Sequence, residues 1–122
     1  MLAYAELFNS RRFDELRDLL TEHVRVEVVS AATLEGKEAA TGRYFGNYAR
    51  QDVSARPVQI DGRPALLLKE AGRSAYVVIV AFDARGIVGI RDFRHTGYEF
   101  AASTVNHLQA SNAIADAEQV KL

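Results

Sequence analysis

The stretch VSARPVQIDGRPALLLKEAGRSAYVVIVAFDARGIVGIRDF, residues 53–93, decides the fold. It reads as strand-like runs separated by tight turns. Val53 to Ile60 ends at Asp61-Gly62, Pro64 to Lys69 at Ala71-Gly72, and Ala75 to Phe82 at Asp83 to Gly86; Ile87 to Phe93 closes the series. Glycine at a turn supplies positive φ without steric cost, so each break reads as a hairpin. The predicted product is a curled antiparallel meander, a cup whose function depends on what lines it.

The third run is apolar on both faces. Tyr76, Val78, Val80 and Phe82 point one way; Val77, Ile79 and Ala81 point the other. A strand that is apolar on both sides is covered on both sides. Helices supply one cover. A second copy of the chain supplies the other, so the sequence predicts a homodimer through the sheet.

Upstream of the meander the period changes. Residues 2–9 predict a short helix with Tyr4, Ala5 and Phe8 on one face. Residues 12–22 predict a second, because Phe13, Leu16, Leu19 and Leu20 form one apolar stripe at a 3.6-residue period. Val24 to Val29 is β-branched and alternates with Arg25 and Glu27, the pattern of a strand with one wet face. Residues 36–49 predict a third helix with Ala40, Tyr44, Phe45 and Tyr48 as its stripe. Gly42 and Gly46 each weaken that helix by about 1 kcal/mol relative to Ala, which points to close packing on a neighbour. A single domain over 1–100 is expected. The tail 101–122 carries scattered apolar residues (Val105, Leu108, Ile114) and either forms a helix or frays.

Composition narrows the function classes. The chain has 122 residues, enough for one domain with a real core. Its net charge is −1, and Arg11-Arg12 is the densest basic pair. A direct nucleic-acid binder normally shows a basic stripe, so none is expected. There is no Cys, hence no disulfide, thiolate metal site or thiol nucleophile. No apolar run approaches the roughly 20 residues needed to cross a bilayer, and the N-terminus lacks a basic leader. The expectation is a soluble, cytoplasmic protein with no membrane partner.

The order helix, helix, strand, helix, meander resembles the cone-shaped α+β fold of the nuclear transport factor two-like superfamily, also called SnoaL-like. Phe8-Asn9 followed by Phe13-Asp14-Glu15-Leu16-Arg17-Asp18-Leu19-Leu20 looks like that superfamily's opening. The strings at 42–50 (GRYFGNYAR), 61–67 (DGRPALL) and 87–94 (IVGIRDFR) resemble the SnoaL-like C-terminal domain of some extracytoplasmic-function sigma factors. Those sigma factors carry two helical DNA- and polymerase-binding domains ahead of it. This sequence carries neither, so the resemblance implies a free-standing relative or an accessory domain alone.

The resemblance also says where acids belong. The ketosteroid-isomerase branch uses a Tyr on the first helix, an Asp base on the first strand and a neutral acid on the third meander strand. Those positions fall on Tyr4, Val28 and Val78, and valine neither takes nor donates a proton. The limonene-epoxide-hydrolase branch uses an Arg-x-Asp pair on the third strand and an Asp on the last. The pair falls on Tyr76 and Val78; the last Asp falls on Asp92. Alternation puts Asp92 on a face with Val88, Ile90 and Arg94. If that face lines the cup, Asp92 is a carboxylate in an apolar pocket, with Arg94 and Arg43 as candidate counter-charges.

Asp92 is therefore the candidate catalytic residue. Tyr4, Tyr44, Tyr48, Tyr76, Val78, Ile90 and Arg94 are the candidate ligand-binding residues, and the implied ligand is an apolar small molecule. Helix-to-sheet packing is the alternative reading of the tyrosines, and a strand-end salt bridge that of Asp92. His23 is expected at a helix end, His95 after the last strand near the cup mouth and His107 in the tail; they share no ligand spacing, so neither metal nor cofactor is expected. Gly86 to Gly89 is a turn and a strand with no helix after it, unlike a phosphate loop. Ser74 and Ser103 have no His–Asp context. Three readings stay open: a ligand-binding or regulatory module, a small hydrolase, isomerase or cyclase, and a structural dimerisation unit.

Overall fold

The computed structural model describes residues 1–73 and 75–96. The expectations for Ser74, Ser103, His107 and the tail 101–122 lie outside the described residues. Helix α1 (Leu2–Asn9) buries Tyr4, Ala5 and Phe8, the face its spacing predicts. Helix α2 (Phe13–Arg17) is shorter than the expected 12–22. The chain leaves the helix because the Leu19 carbonyl accepts a hydrogen bond from the Ile87 N–H at 2.8 Å. Strand pairing there overrides the helical period, and Leu16 and Leu20 are buried all the same. Strand β1 (Leu20–Val28) keeps Val24 and Val26 inside. His23 sits exposed on that strand and not at a helix end.

Strand β2 (Ala32–Glu35) returns antiparallel along β1, pairing Leu34 with Val26. The expected third helix is one rod. Helix α3 (Lys37–Ala39) runs into a π-helical segment (Ala40–Phe45) and then α4 (Gly46–Ala49). Ala40, Tyr44, Phe45 and Tyr48 are buried along it as expected. The close approach expected at its glycines is not there. A methyl group at Gly42 would meet nothing within 4 Å, and one at Gly46 would make an ordinary 3.8 Å contact.

The meander follows as β3 (Val53–Ile60), β4 (Arg63–Glu70), β5 (Tyr76–Asp83) and β6 (Gly86–Asp92). Asp61 and Gly62 both have positive φ (51° and 79°), as the predicted two-residue hairpin requires. All six strands form one curved sheet in the order β2-β1-β6-β5-β4-β3, antiparallel except where β1 runs parallel to β6. Helices pack on its inner face, which holds the main core. A small apolar cluster of Ala65, Leu67 and Val77 lies on the other face, as the two-faced β5 run predicts. Among the described residues no helix is long and apolar enough to cross a membrane.

A bulge and an edge contact set the directions of key side chains. Between Ala81 and Phe82 the β5–β6 register slips, with Ala81 opposite Gly89 and Phe82 opposite Ile87. Val88 is the extra residue of this bulge, so alternation breaks there. Val88 leaves the face of Asp92 for a depression on the outer side with Arg25, Glu27 and Arg91, and Phe82 is 49% exposed instead of inward. At the far edge, the Asn9 side chain donates to the Ala55 carbonyl (2.8 Å) and accepts from the Ala55 N–H (2.7 Å). It imitates the bridge of a further strand against edge strand β3 and fastens α1 to the sheet. Two residues on, Pro57 has no N–H to leave unpaired on that edge.

Candidate functional site

Strand β6 carries Asp92 to the inner face at a point where Val78 of β5 and Val28 of β1 are its register partners. The carboxylate is 1% exposed, the one buried charged residue in the described core. The rod 37–49 lies across it. Tyr44 and Tyr48, four residues apart, both donate to its Oδ2 at 2.6 Å. The Arg94 backbone N–H donates to Oδ1 at 2.9 Å. An O–H donor at 2.6 Å to an ionised oxygen is the short, charge-assisted kind of hydrogen bond.

Tyr48 spends its only proton on Asp92, so its oxygen accepts from the Tyr76 hydroxyl at 2.6 Å. The result is a directed chain, Tyr76 to Tyr48 to Asp92, with Tyr44 arriving from the other side. Tyr4 joins through its ring, edge-on to Phe45 and stacked on Phe8. Its hydroxyl has no hydrogen-bond partner among the described residues. Val78 and Ile90 are buried in the apolar floor.

Arg94 covers the chain. Its guanidinium lies over the rings of Tyr48 (4.8 Å) and Tyr76 (5.2 Å). Its Nη2 donates to Gln51 Oε1 at 2.6 Å and comes to 3.6 Å from Glu70 Oε1. The expected Arg94–Asp92 ion pair is thus a backbone hydrogen bond, and the side-chain charge is spent on rings and Gln51. Arg43 is exposed and takes no part. His95 is exposed beyond the last strand. Gln51 and Glu70 were not among the expected site residues; each is a polar residue just outside or at the end of a strand, with no pattern to mark it.

Burial, reinforced by the charge of Asp92, raises the hydroxyl pKa of Tyr4, Tyr44 and Tyr48 above the ordinary value. Burial likewise raises that of Tyr76. An acid whose pKa is higher folded than unfolded stabilises the fold fully below its unfolded pKa of about 10 and loses that contribution as pH rises beyond it. Each such tyrosine removes about 1.4 kcal/mol per pH unit above that point. The domain should therefore unfold steeply above about pH 10, with ionisation of these tyrosines appearing in the same transition as loss of far-ultraviolet dichroism. Tyrosinate absorbance that rises with the fold intact would contradict the cluster.

Chemically, Asp92 is buried and mostly satisfied: its two oxygens hold three protein donors, two on Oδ2 and one on Oδ1, out of about four lone-pair positions. The base and acid positions of the isomerase pattern, Val28 and Val78, are apolar in fact as in sequence. Among the described residues, the hydrogen-bonding groups of this cluster without a partner are the Tyr4 hydroxyl and part of the Arg94 guanidinium.

No family model matches the chain, and no curated protein is similar to it in sequence. Solved structures are. The epoxide hydrolase/cyclase-like enzyme SalBIII, described for pyran ring formation in the polyether salinomycin, is 21% identical over 74% of this chain and 83% of its own, with a TM-score of 0.59. A putative ketosteroid isomerase from Kribbella flavida is 22% identical over 78% and 74%, with a TM-score of 0.59. A putative polyketide cyclase from Xanthomonas campestris is 16% identical over 84% and 92%, with a TM-score of 0.58. The chain has the nuclear transport factor two-like α+β fold, helices on a curved mixed sheet.

Proposed function

We propose that the cup is a recognition site for an apolar small molecule, and that the domain acts by binding rather than by catalysis. One observation carries this reading: a buried carboxylate that already holds three protein donors stands near a buried tyrosine, Tyr4, whose hydroxyl has no partner among the described residues. The first arrangement weakens the carboxylate as a base. The second offers a donor to a carbonyl or hydroxyl of a ligand whose body lies on aromatic and aliphatic side chains. The resemblance of the strings at 42–50, 61–67 and 87–94 to sigma-factor accessory domains would give such binding a regulatory purpose.

The test is a panel of rigid apolar ketones and alcohols screened by thermal shift, followed by calorimetry. A ligand at 100 times its Kd should stabilise the fold by about 2.7 kcal/mol. Tyr4→Phe should weaken it by about tenfold, the worth of one hydrogen bond. Absence of any stabilising compound, together with a crystal structure of the protein as purified whose cup is filled by its own side chains, overturns the reading.

A second reading, a small acid–base enzyme, rests on the Tyr76–Tyr48–Asp92 chain, whose 2.6 Å contacts can pass protons. It requires turnover of a cup ligand that Asp92→Asn abolishes while binding persists.

In either reading a second copy pairs across the outer face of the sheet. The support is the partly exposed apolar rim of Val58, Ile60 and Ile79 around the outer-face cluster of Ala65, Leu67 and Val77, which is itself buried within one chain. Sedimentation at micromolar concentration should give a dimer, and a monomer there rejects the pairing.

A further inference from the structure

We infer that the π-helical segment Ala40–Phe45 is a movable one-residue insertion whose shift along the rod gates Asp92. With the wide turn ahead of Tyr44, that tyrosine closes on the carboxylate. With the wide turn behind it, the tyrosine swings away. Such a gate serves a binding domain and an enzyme alike, so it stands independently of what the cup holds.

The buried stripe of the rod carries the first sign. Ala40, Tyr44, Phe45 and Tyr48 are all buried, at i, i+4, i+5 and i+8. An α-helix turns by about 100° per residue and would spread those four over about 140°. One residue fewer between Ala40 and Tyr44 gives i, i+3, i+4 and i+7, the ordinary stripe of an α-helix. The rod therefore holds one residue more than its pattern needs, and a π turn is how a helix absorbs it. The hydrogen bonds agree. The Gly46 N–H reaches back five residues to the Thr41 carbonyl. The Thr41 hydroxyl donates to the Lys37 carbonyl at 2.7 Å, a side-chain bond that competes with the backbone ladder.

Both ends of the rod are pinned. The Gly36 N–H donates to the Val24 carbonyl of β1 at 2.8 Å, and Arg11 Nη2 donates to the Gln51 carbonyl just past α4. The slack lies between them. Gly42 and Gly46 stand two residues to either side of Tyr44, and neither is there for close packing. Glycine adapts to either kind of turn. When the extra residue passes from the Ala40 side to the Tyr48 side, Tyr44 rotates by about 100° while Ala40 and Tyr48 keep their places. The Tyr44 hydroxyl then leaves Asp92 Oδ2. Asp92 still holds Tyr48 and the Arg94 N–H, and it offers the vacated position to another donor.

Nuclear magnetic resonance on the full chain tests the gate. Relaxation dispersion should show microsecond-to-millisecond exchange at the Tyr44 ring and at residues 41–46, with the Tyr48 ring quiet. Deletion of Gly42 should leave a folded domain with an α-helical rod and silence the exchange at Tyr44. It should also slow amide hydrogen exchange in the rest of 41–46 by about fivefold, the worth of one helical glycine, with the β5 and β6 amides unchanged. Flat dispersion at Tyr44 in the wild type overturns the gate. Equal exchange at Tyr44 and Tyr48 overturns it too, since the whole rod would then lift, as does exchange at Tyr44 that survives the deletion. If the deletion variant does not fold, the wild-type comparison of Tyr44 with Tyr48 decides alone.

Discussion

Asp92→Ala should destabilise the domain by about 3–9 kcal/mol, because it strands the donors of Tyr44, Tyr48 and the Arg94 backbone at about 1–3 kcal/mol each. Few single changes in a domain of this size are expected to cost more. The carboxylate is 1% exposed, so water does not simply replace it. Asp92→Asn should cost less, about 1–3 kcal/mol, since one oxygen survives while its amide meets hydroxyls that must turn to accept. The informative comparison is the whole network. Asp92→Leu combined with Tyr44→Phe and Tyr48→Phe removes the donors together with their acceptor, and a well-packed apolar replacement is often neutral or better. Urea unfolding should show the triple variant close to the wild type and well above Asp92→Ala. If the triple variant falls as far as Asp92→Ala, the cluster holds the fold by something other than mutual satisfaction.

Gly86→Ala should cost about 3–5 kcal/mol, by clash and by backbone strain together. The added Cβ would lie 2.6 Å from the Leu19 carbonyl oxygen, a backbone atom that cannot swing aside. That carbonyl is also the acceptor for the Ile87 N–H, so relief of the clash breaks the junction where β1 joins β6. Gly86 has φ 142°, a region closed to other residues. Gly42→Ala is the internal control. It sits in the rod with open space around it and should gain about 0.5–1 kcal/mol. Equal effects at the two positions would show that helix propensity, and not close approach, governs this chain's glycines.

These glycines mark how much of the structure is legible in the sequence. Tyr4, Ala5 and Phe8 on α1, the rod's four-residue stripe and the Asp61-Gly62 hairpin were legible because local period and turn chemistry agree there with the final packing. The stretch from Leu19 to Leu20 was not. It fits a helix and a strand equally, and a partner distant in sequence, Ile87, decides it. Strand β2 buries Leu34 alone of its four residues, too little to show any period. The cluster was legible in its members and illegible in its wiring. Asp92, Tyr44, Tyr48 and Tyr76 all stood out, but the register that brings Asp92 opposite Val78 depends on a bulge at Val88. Nothing in the sequence announces that bulge, or that Arg94 would meet Asp92 by its backbone instead of its charge.

The Asn9 side chain has a consequence for how copies of this protein behave when crowded. Strand β3 ends the sheet, and an unfinished sheet invites the next molecule to continue it. One amide, delivered from a helix, answers both open groups of Ala55, and Pro57 leaves the neighbouring site without a donor. The first nine residues thus act as a terminator of strand-by-strand growth. A molecule whose first helix has peeled away uncovers both groups of Ala55 and becomes, along that one border, a template for polymerisation.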